Sequence, residues 1–264
     1  MSRIDKKFAE LRKLKKKAFI AFLTSGYPSL EKTYSLVREL ENRGVDIIEL
    51  GVPFSDPLAD GPVIQNASKI ALSHKVNLNK IFILVKKIRD RSEIPLVLMT
   101  YYNPVFRFGD SLFLEKAKAA GVDGLIIPDL PLEESTRLLK SANRIKIDLI
   151  PFIAPTTSPD RVRLIVKIAK GFIYYVSVSG VTGARKSLPK DMPKNLKFIK
   201  KNTDKPICIG FGISNSEQAR CVSLLGDGVI VGSAIVNEIG KALKKKEFIK
   251  SVGNFVTRLI KGVR

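Results

Sequence analysis

Leu40-Glu41-Asn42-Arg43-Gly44-Val45-Asp46-Ile47-Ile48-Glu49-Leu50-Gly51 reads as one complete structural joint. Leu30, Val37 and Leu40 lead into it at helical spacing. Gly44 follows, and glycine tolerates the left-handed backbone with which a helix stops abruptly. Ile47-Ile48 then opens an apolar run. The same joint returns at Ala120-Gly121-Val122-Asp123 before Leu125-Ile126-Ile127, and at Leu225-Gly226-Asp227-Gly228 before Val229-Ile230-Val231. Three helix-stop-strand units are the weak internal repetition expected of a wound α/β chain.

Working outward, short apolar runs lie at 18–23, 47–50, 96–100, 125–127, 149–153, 172–176, 207–209 and 229–231. Most are continuously apolar, the pattern of strands covered on both faces of a parallel sheet. Parallel strands need crossovers, and helical spacing fills the gaps. Phe113, Leu114, Ala117 and Ala120 make one such stripe; Leu164, Ile165, Ile168 and Ala169 make another. Ser158-Pro159-Asp160 supplies a cap hydroxyl, a first-turn proline and a first-turn acid. About eight strands alternate with about eight helices, and residues 1–17 add an amphipathic, basic helix in front. The expected fold is a closed (β/α)₈ TIM barrel with an extra N-terminal helix, one domain over 1–264; an open doubly wound sheet is the alternative. The chain has 264 residues, a length that such a barrel nearly uses up.

Composition excludes whole classes of function. At 45% hydrophobic and 27% charged residues, the chain is neither a disordered polymer nor a collagen-like repeat. Cys208 and Cys221 make no disulfide framework and have no metal-ligand spacing, which points to a reducing, cytoplasmic setting. No run of 18 uncharged apolar residues exists to span a membrane. The net charge of +21 raises a nucleic-acid or membrane partner. Its densest stretch, Arg12 to Lys17, has no interleaved aromatics, and a solvated basic surface explains it equally. The single histidine, His74, lies in helical sequence, so no Ser-His-Asp or Cys-His scheme and no zinc cluster has support.

Chemistry in such a barrel sits at the C-terminal ends of strands. Glu49 is a carboxyl group placed there, and burial would raise its proton affinity into the working range of a general acid. Position alone leaves it either that acid or a structural one satisfied by a loop. Asp56 and Asp60 follow in Val52-Pro53-Phe54-Ser55-Asp56-Pro57-Leu58-Ala59-Asp60-Gly61-Pro62, which brings further carboxylates to the same rim. Asp-Pro and Asp-Gly are also ordinary turn pairs. Gly210-Phe211-Gly212 and Val231-Gly232-Ser233 end the last two runs, where backbone N–H groups and a helix N-terminus hold phosphate. The long segment 177–193, with Gly180, Gly183, Pro189 and Pro193, reads as a lid.

These blocks together resemble the alpha chain of tryptophan synthase. The resemblance is carried by Ala21-Phe22-Leu23-Thr24-Ser25-Gly26-Tyr27-Pro28, by the unbroken stretch from Glu49 to Gln65, by Ile127-Pro128-Asp129-Leu130-Pro131, by Ser179-Gly180-Val181-Thr182-Gly183 and by Gly210-Phe211-Gly212-Ile213. It implies a retro-aldol cleavage of indole-3-glycerol phosphate to indole and glyceraldehyde 3-phosphate, in tryptophan biosynthesis. By this resemblance Glu49 is the acid/base residue, and Asp60 accepts the indole ring N–H. Phe22, Ile64 and Tyr174 line the indole pocket. Gly183, Gly212, Gly232 and Ser233 hold the phosphate, and Thr182 with the Pro53–Asp56–Pro57 loop belongs to mobile closing elements. No cofactor is expected in this chain. Pyridoxal phosphate is expected in a partner β chain, within an α2β2 assembly. Val178 departs from the family's frequent basic residue there. Other phosphate-gripping isomerase or epimerase barrels, a nucleic-acid-binding barrel and a silent activating subunit are the competing readings. If 177–193 is a lid, trypsin cuts at Arg185 and Lys186 quickly without ligand and slowly with it; equal rates count against a lid.

Overall fold

The computed structural model describes residues 1–176, 191–210 and 212–264. Nine parallel strands form one sheet: β1 Ala18–Thr24, β2 Ile47–Gly51, β3 Leu96–Met99, β4 Gly124–Ile126, β5 Asp148–Leu149, β6 Phe152–Ile153, β7 Ile173–Val176, β8 Ile207–Gly210 and β9 Gly228–Val231. Their order is β5-β4-β3-β2-β1-β9-β8-β7-β6. The two ends of that order are neighbours in the chain. Ile150 N–H donates to Leu125 on the β4 side at 2.9 Å, while the Pro151 carbonyl accepts from Tyr174 of β7 at 3.0 Å. One segment therefore serves both edges, and the sheet closes into a (β/α)₈ barrel.

The run at 149–153 is thus one barrel position but two ladders. Pro151 has no N–H to donate, so the ladder breaks around it. Twelve helices occur among the described residues, more than the eight plus one expected. Three positions are doubled: Pro62–Ser73 with Leu78–Arg89, Tyr102–Phe108 with Asp110–Ala120, split by Gly109 at φ +89°, and, after β9, Ser233–Ala242 with Phe248–Val263. Of the segment 177–193, read as a lid, residues 177–190 lie outside the described residues, and Pro193 lies in the first turn of the helix Met192–Lys201.

The glycine joints divide into two kinds. Gly44 and Gly121 have φ of +92° and +99°, as a left-handed helix stop requires. Gly226 does not adopt that conformation; a Cβ there would lie 2.9 Å from the Ile207 carbonyl oxygen, so glycine serves close packing instead. All three joints share a feature the glycine pattern concealed. The aspartate after each glycine reaches an amide at the start of a neighbouring strand, the first or second of its residues. Asp46 accepts from Phe19 at 2.8 Å, Asp123 from Leu96 at 2.9 Å and Asp227 from Ile207 at 2.9 Å. Each is also paired with a cation: Arg264 at 2.9 Å, Arg89 at 2.6 Å and Lys200 respectively.

Strand alternation sorts the core into two layers. Ile20, Ile47, Val97, Ile126, Ile150, Phe172 and Cys208 fill the barrel interior. The helix Arg3–Lys13 closes its lower end, inserting Ile4, Phe8 and Leu11, with Phe8 and Phe172 ring centroids 5.9 Å apart. A capping box between Ser2 and Asp5 starts that helix. The outer layer lies between strands and helices; Phe113, Leu114, Ala117 and Ala120 pack there as their spacing indicates. In Pro159–Ile168 the buried face is Val162, Ile165 and Val166, whereas Leu164 is 52% exposed. The stripe is shifted from the one expected because Val162 belongs to it and Leu164 lies on the outer side.

Interior space is tight at the bottom. A Cβ on Gly228 would meet Ala18 Cβ at 2.8 Å, Cys208 Sγ at 2.9 Å and the Ala18 carbonyl oxygen at 3.0 Å. Gly228→Ala is therefore expected to lower the free energy of unfolding by about 1–3 kcal/mol through overpacking, despite alanine's smaller entropy loss. Urea unfolding checks this, and an unchanged or raised midpoint would contradict it.

Candidate active site

The strand pairing brings the expected acids and aromatics to one mouth. β1 lies between β2 and β9, and in its register Phe22 stands opposite Glu49. A cavity of about 300 Å³ opens above them. Phe22, Glu49, Asp60, Ile64, Tyr174, Gly212, Gly232 and Ser233 all line it. Thr182 and Gly183, also expected here, lie outside the described residues, as does Val178.

Glu49 comes from the middle of β2 and is 1% exposed. Neither of its carboxyl oxygens has a hydrogen-bond partner among the described residues. A carboxylate so placed is costly, and the group answers by keeping its proton. Burial, reinforced by the nearby Asp60 charge, pushes Glu49 up to about 8. Among the described residues no loop satisfies this acid.

Asp60 sits on the segment between β2 and the helix Pro62–Ser73 and is 8% exposed. Burial raises it to about 6, with the hydrogen bond from Tyr101 opposing the rise. Near neutral pH the two acids therefore differ in state: Glu49 is protonated and Asp60 ionised. Environments that push paired carboxyl groups apart mark an acid and a base within one site. Asp56 is different. It is exposed, accepts from the Ser55 hydroxyl at 2.8 Å and does not line the cavity.

Two arms flank the acids. Ile64, in the first turn of Pro62–Ser73, faces Phe22 and Tyr174 across the same space. Tyr174 of β7 turns inward, its ring 4.7 Å from Phe152, while Tyr175 beside it packs into the outer layer. The Tyr174 phenol is raised well above its ordinary value, chiefly by burial and then by the charges of Glu49 and Asp60. On the far side, Gly232 precedes the helix Ser233–Ala242, and Gly212 follows β8 with φ +58°. Free amides at a helix start beside a glycine turn suit an oxyanion.

Sequence reading missed several contributors. Met99, Pro128, Phe152 and Ile230 also line the cavity. Strand parity was the available signal, since Met99 follows Val97 on the interior face of β3. Tyr101 was missed altogether, although it follows β3 at the catalytic end; it is 5% exposed and donates to Asp60 Oδ2 at 3.1 Å. Among the described residues no group of three or more His, Cys, Asp or Glu side chains is arranged to hold a metal ion, and no helix is long and apolar enough to cross a membrane.

Comparison with known proteins agrees with this geometry. A family model described as tryptophan synthase alpha chain matches residues 8–261. The tryptophan synthase alpha chain of Caldanaerobacter subterraneus subsp. tengcongensis is 49% identical over 259 residues, covering 98% of each chain. The crystal structure of tryptophan synthase alpha chain from Legionella pneumophila superposes with a TM-score of 0.91 at 36% identity, covering 100% of this chain and 97% of that one. A structure of Mycobacterium tuberculosis tryptophan synthase gives 0.91 at 35%, covering 100% and 98%.

The unbonded acid makes a prediction about stability. From about pH 5 to pH 8 the unfolded chain releases the Glu49 proton while the folded chain keeps it. The unfolded state then binds fewer protons, so stability falls as pH rises through that window. Glu49→Gln has no such proton. Its stability relative to the unaltered chain is expected to rise across the window by roughly 2–4 kcal/mol, read from urea unfolding at each pH. A difference independent of pH would contradict the buried, proton-bearing state.

Proposed function

Because the chain belongs to the tryptophan synthase alpha chain family, we propose that its barrel mouth cleaves indole-3-glycerol phosphate to indole and glyceraldehyde 3-phosphate, with Glu49 and Asp60 handling the protons. The observation that carries this reading is the pair of acids with separated proton affinities facing one aromatic-lined cavity.

The chemistry is a retro-aldol step. Protonated Glu49 gives its proton to the indole ring carbon that bears the glycerol tail. Positive charge spreads to the ring nitrogen, where the Asp60 carboxylate accepts the N–H and stabilises it. The Glu49 carboxylate then takes the proton from the hydroxyl on the adjacent carbon. The C–C bond breaks, its electron pair restores the aromatic ring, and the hydroxyl-bearing carbon leaves as an aldehyde. Glu49 ends the cycle protonated, so one group serves as acid and base. Phe22, Ile64 and Tyr174 hold the bicycle in the cavity. The phosphate sits on the amides at Gly212, Gly232 and Ser233; Gly183, assigned to the phosphate by the family resemblance, and Thr182, assigned to a closing loop, lie outside the described residues.

The partner in this reading is a tryptophan synthase β chain in an α2β2 assembly, which takes up the indole and carries pyridoxal phosphate itself. The setting is cytoplasmic. Activation of that partner and cleavage are separable: Glu49→Gln should still stimulate β-chain turnover while failing to release indole.

The assay is indole release from indole-3-glycerol phosphate, with and without added β chain. Glu49→Gln and Asp60→Asn are each expected to lower turnover by about 10²–10⁴-fold. The pH profile of the unaltered enzyme is expected to be bell-shaped, with its acidic limb near 6, where Asp60 ionises, and its alkaline limb near 8, where Glu49 loses its proton. Wild-type turnover in Glu49→Gln would overturn the acid/base assignment.

A further inference from the structure

Glu49 is fixed by a strand, but Asp60 is carried on a loop between Pro57 and Gly61. A catalytic carboxylate on a loop needs a tether, because misplacement by about 1 Å costs on the order of 10²-fold in rate. One side chain from outside the 52–61 segment that carries this loop touches the segment at three points. The Tyr101 hydroxyl accepts from the Ala59 N–H at 2.9 Å and donates to Asp60 Oδ2 at 3.1 Å. Its ring lies 5.3 Å from that of Phe54, tilted by 32°. Phe54, Ala59 and Asp60 all belong to the segment between β2 and Pro62–Ser73, whereas Tyr101 follows β3.

Resting on the role proposed above for Asp60, we propose that Tyr101 is a positioning residue that clamps the Asp60 loop and hands the carboxylate to the substrate's ring N–H in one orientation. With Oδ2 engaged by the phenol, Oδ1 carries no bond among the described residues and is the oxygen left for that N–H. The bond also keeps Asp60 ionised. A neutral donor stabilises the charged form of a carboxylate, and it opposes the rise that burial imposes on Asp60. Burial, then the Asp60 charge, pushes the phenol up, so it remains a proton donor throughout the working range. Around this pair, Glu49 from β2 and Tyr174 from β7 feel the Asp60 charge, and Asp129 acts on Tyr101.

Tyr101→Phe keeps the ring against Phe54 and removes only the hydroxyl. Turnover is expected to fall by about 10–100-fold with KM changed less than about threefold, and the acidic limb of the pH profile to move up by about one unit. Placing 3-fluorotyrosine at position 101 leaves the fold intact and strengthens the donor, so the acidic limb is expected to move down. Asp60→Asn is run beside them. If Asp60→Asn retains wild-type turnover, the role of Asp60 falls, and the clamp with it. If Asp60→Asn is inactive while the phenylalanine and fluorotyrosine enzymes keep the wild-type kcat and acidic limb, the clamp alone falls.

Discussion

The parallel pairing of β1 with β2 on one side and β9 on the other is the constraint on which the mouth depends. Its register sets Phe22 opposite Glu49 and leads, through β9, to the glycine before Ser233–Ala242. A slip of one residue in β1 would turn Phe22 outward. The acid arm and the anion arm would then lose the aromatic wall they share. Everything below the mouth holds that register: the interior layer of β-branched residues, the helix Arg3–Lys13 closing the bottom, and the aspartates that cap neighbouring strands.

The barrel interior is also what gives the carboxyl of Glu49 the proton affinity that its proposed role requires. In water that group would be ionised near neutrality and unable to protonate a ring carbon. Held at 1% exposure with neither oxygen bonded among the described residues, it keeps its proton to about 8. Asp60, reached by a phenol and closer to the rim, ionises at about 6. Two similar side chains thus bind their protons differently because their surroundings differ. A buried, unbonded polar group lowers stability, and here the loss falls on the residue assigned to the chemistry, as expected where function opposes stability.

Local chemistry made much of the fold legible. The Ser158-Pro159-Asp160 start, the stripe 113/114/117/120 and the helix stops at Gly44 and Gly121 are written in adjacent residues and form as read. The errors share a cause. Gly226 serves the carbonyl of Ile207, nineteen positions upstream, and not its own helix end. The split at Pro151 matters only because one segment closes both edges of the sheet. In each case the deciding partner is distant in sequence. The acids were legible as candidates, since a carboxyl group inside an apolar strand is conspicuous. Tyr101 was not, since nothing local to Thr100-Tyr101-Tyr102 says which tyrosine meets the neighbouring loop.

By itself the sequence determined the alternation of strand and helix, the barrel class and the family, because periodicity, capping residues and long motifs are properties of neighbours along the chain. The tertiary structure alone decided that Glu49 is buried with no hydrogen bond among the described residues, that Asp60 stands within its field, and that a tyrosine from the next strand's end bonds to the loop between them. Solvent exclusion and through-space charge are sums over groups that only folding assembles, so no reading of adjacent residues contains them.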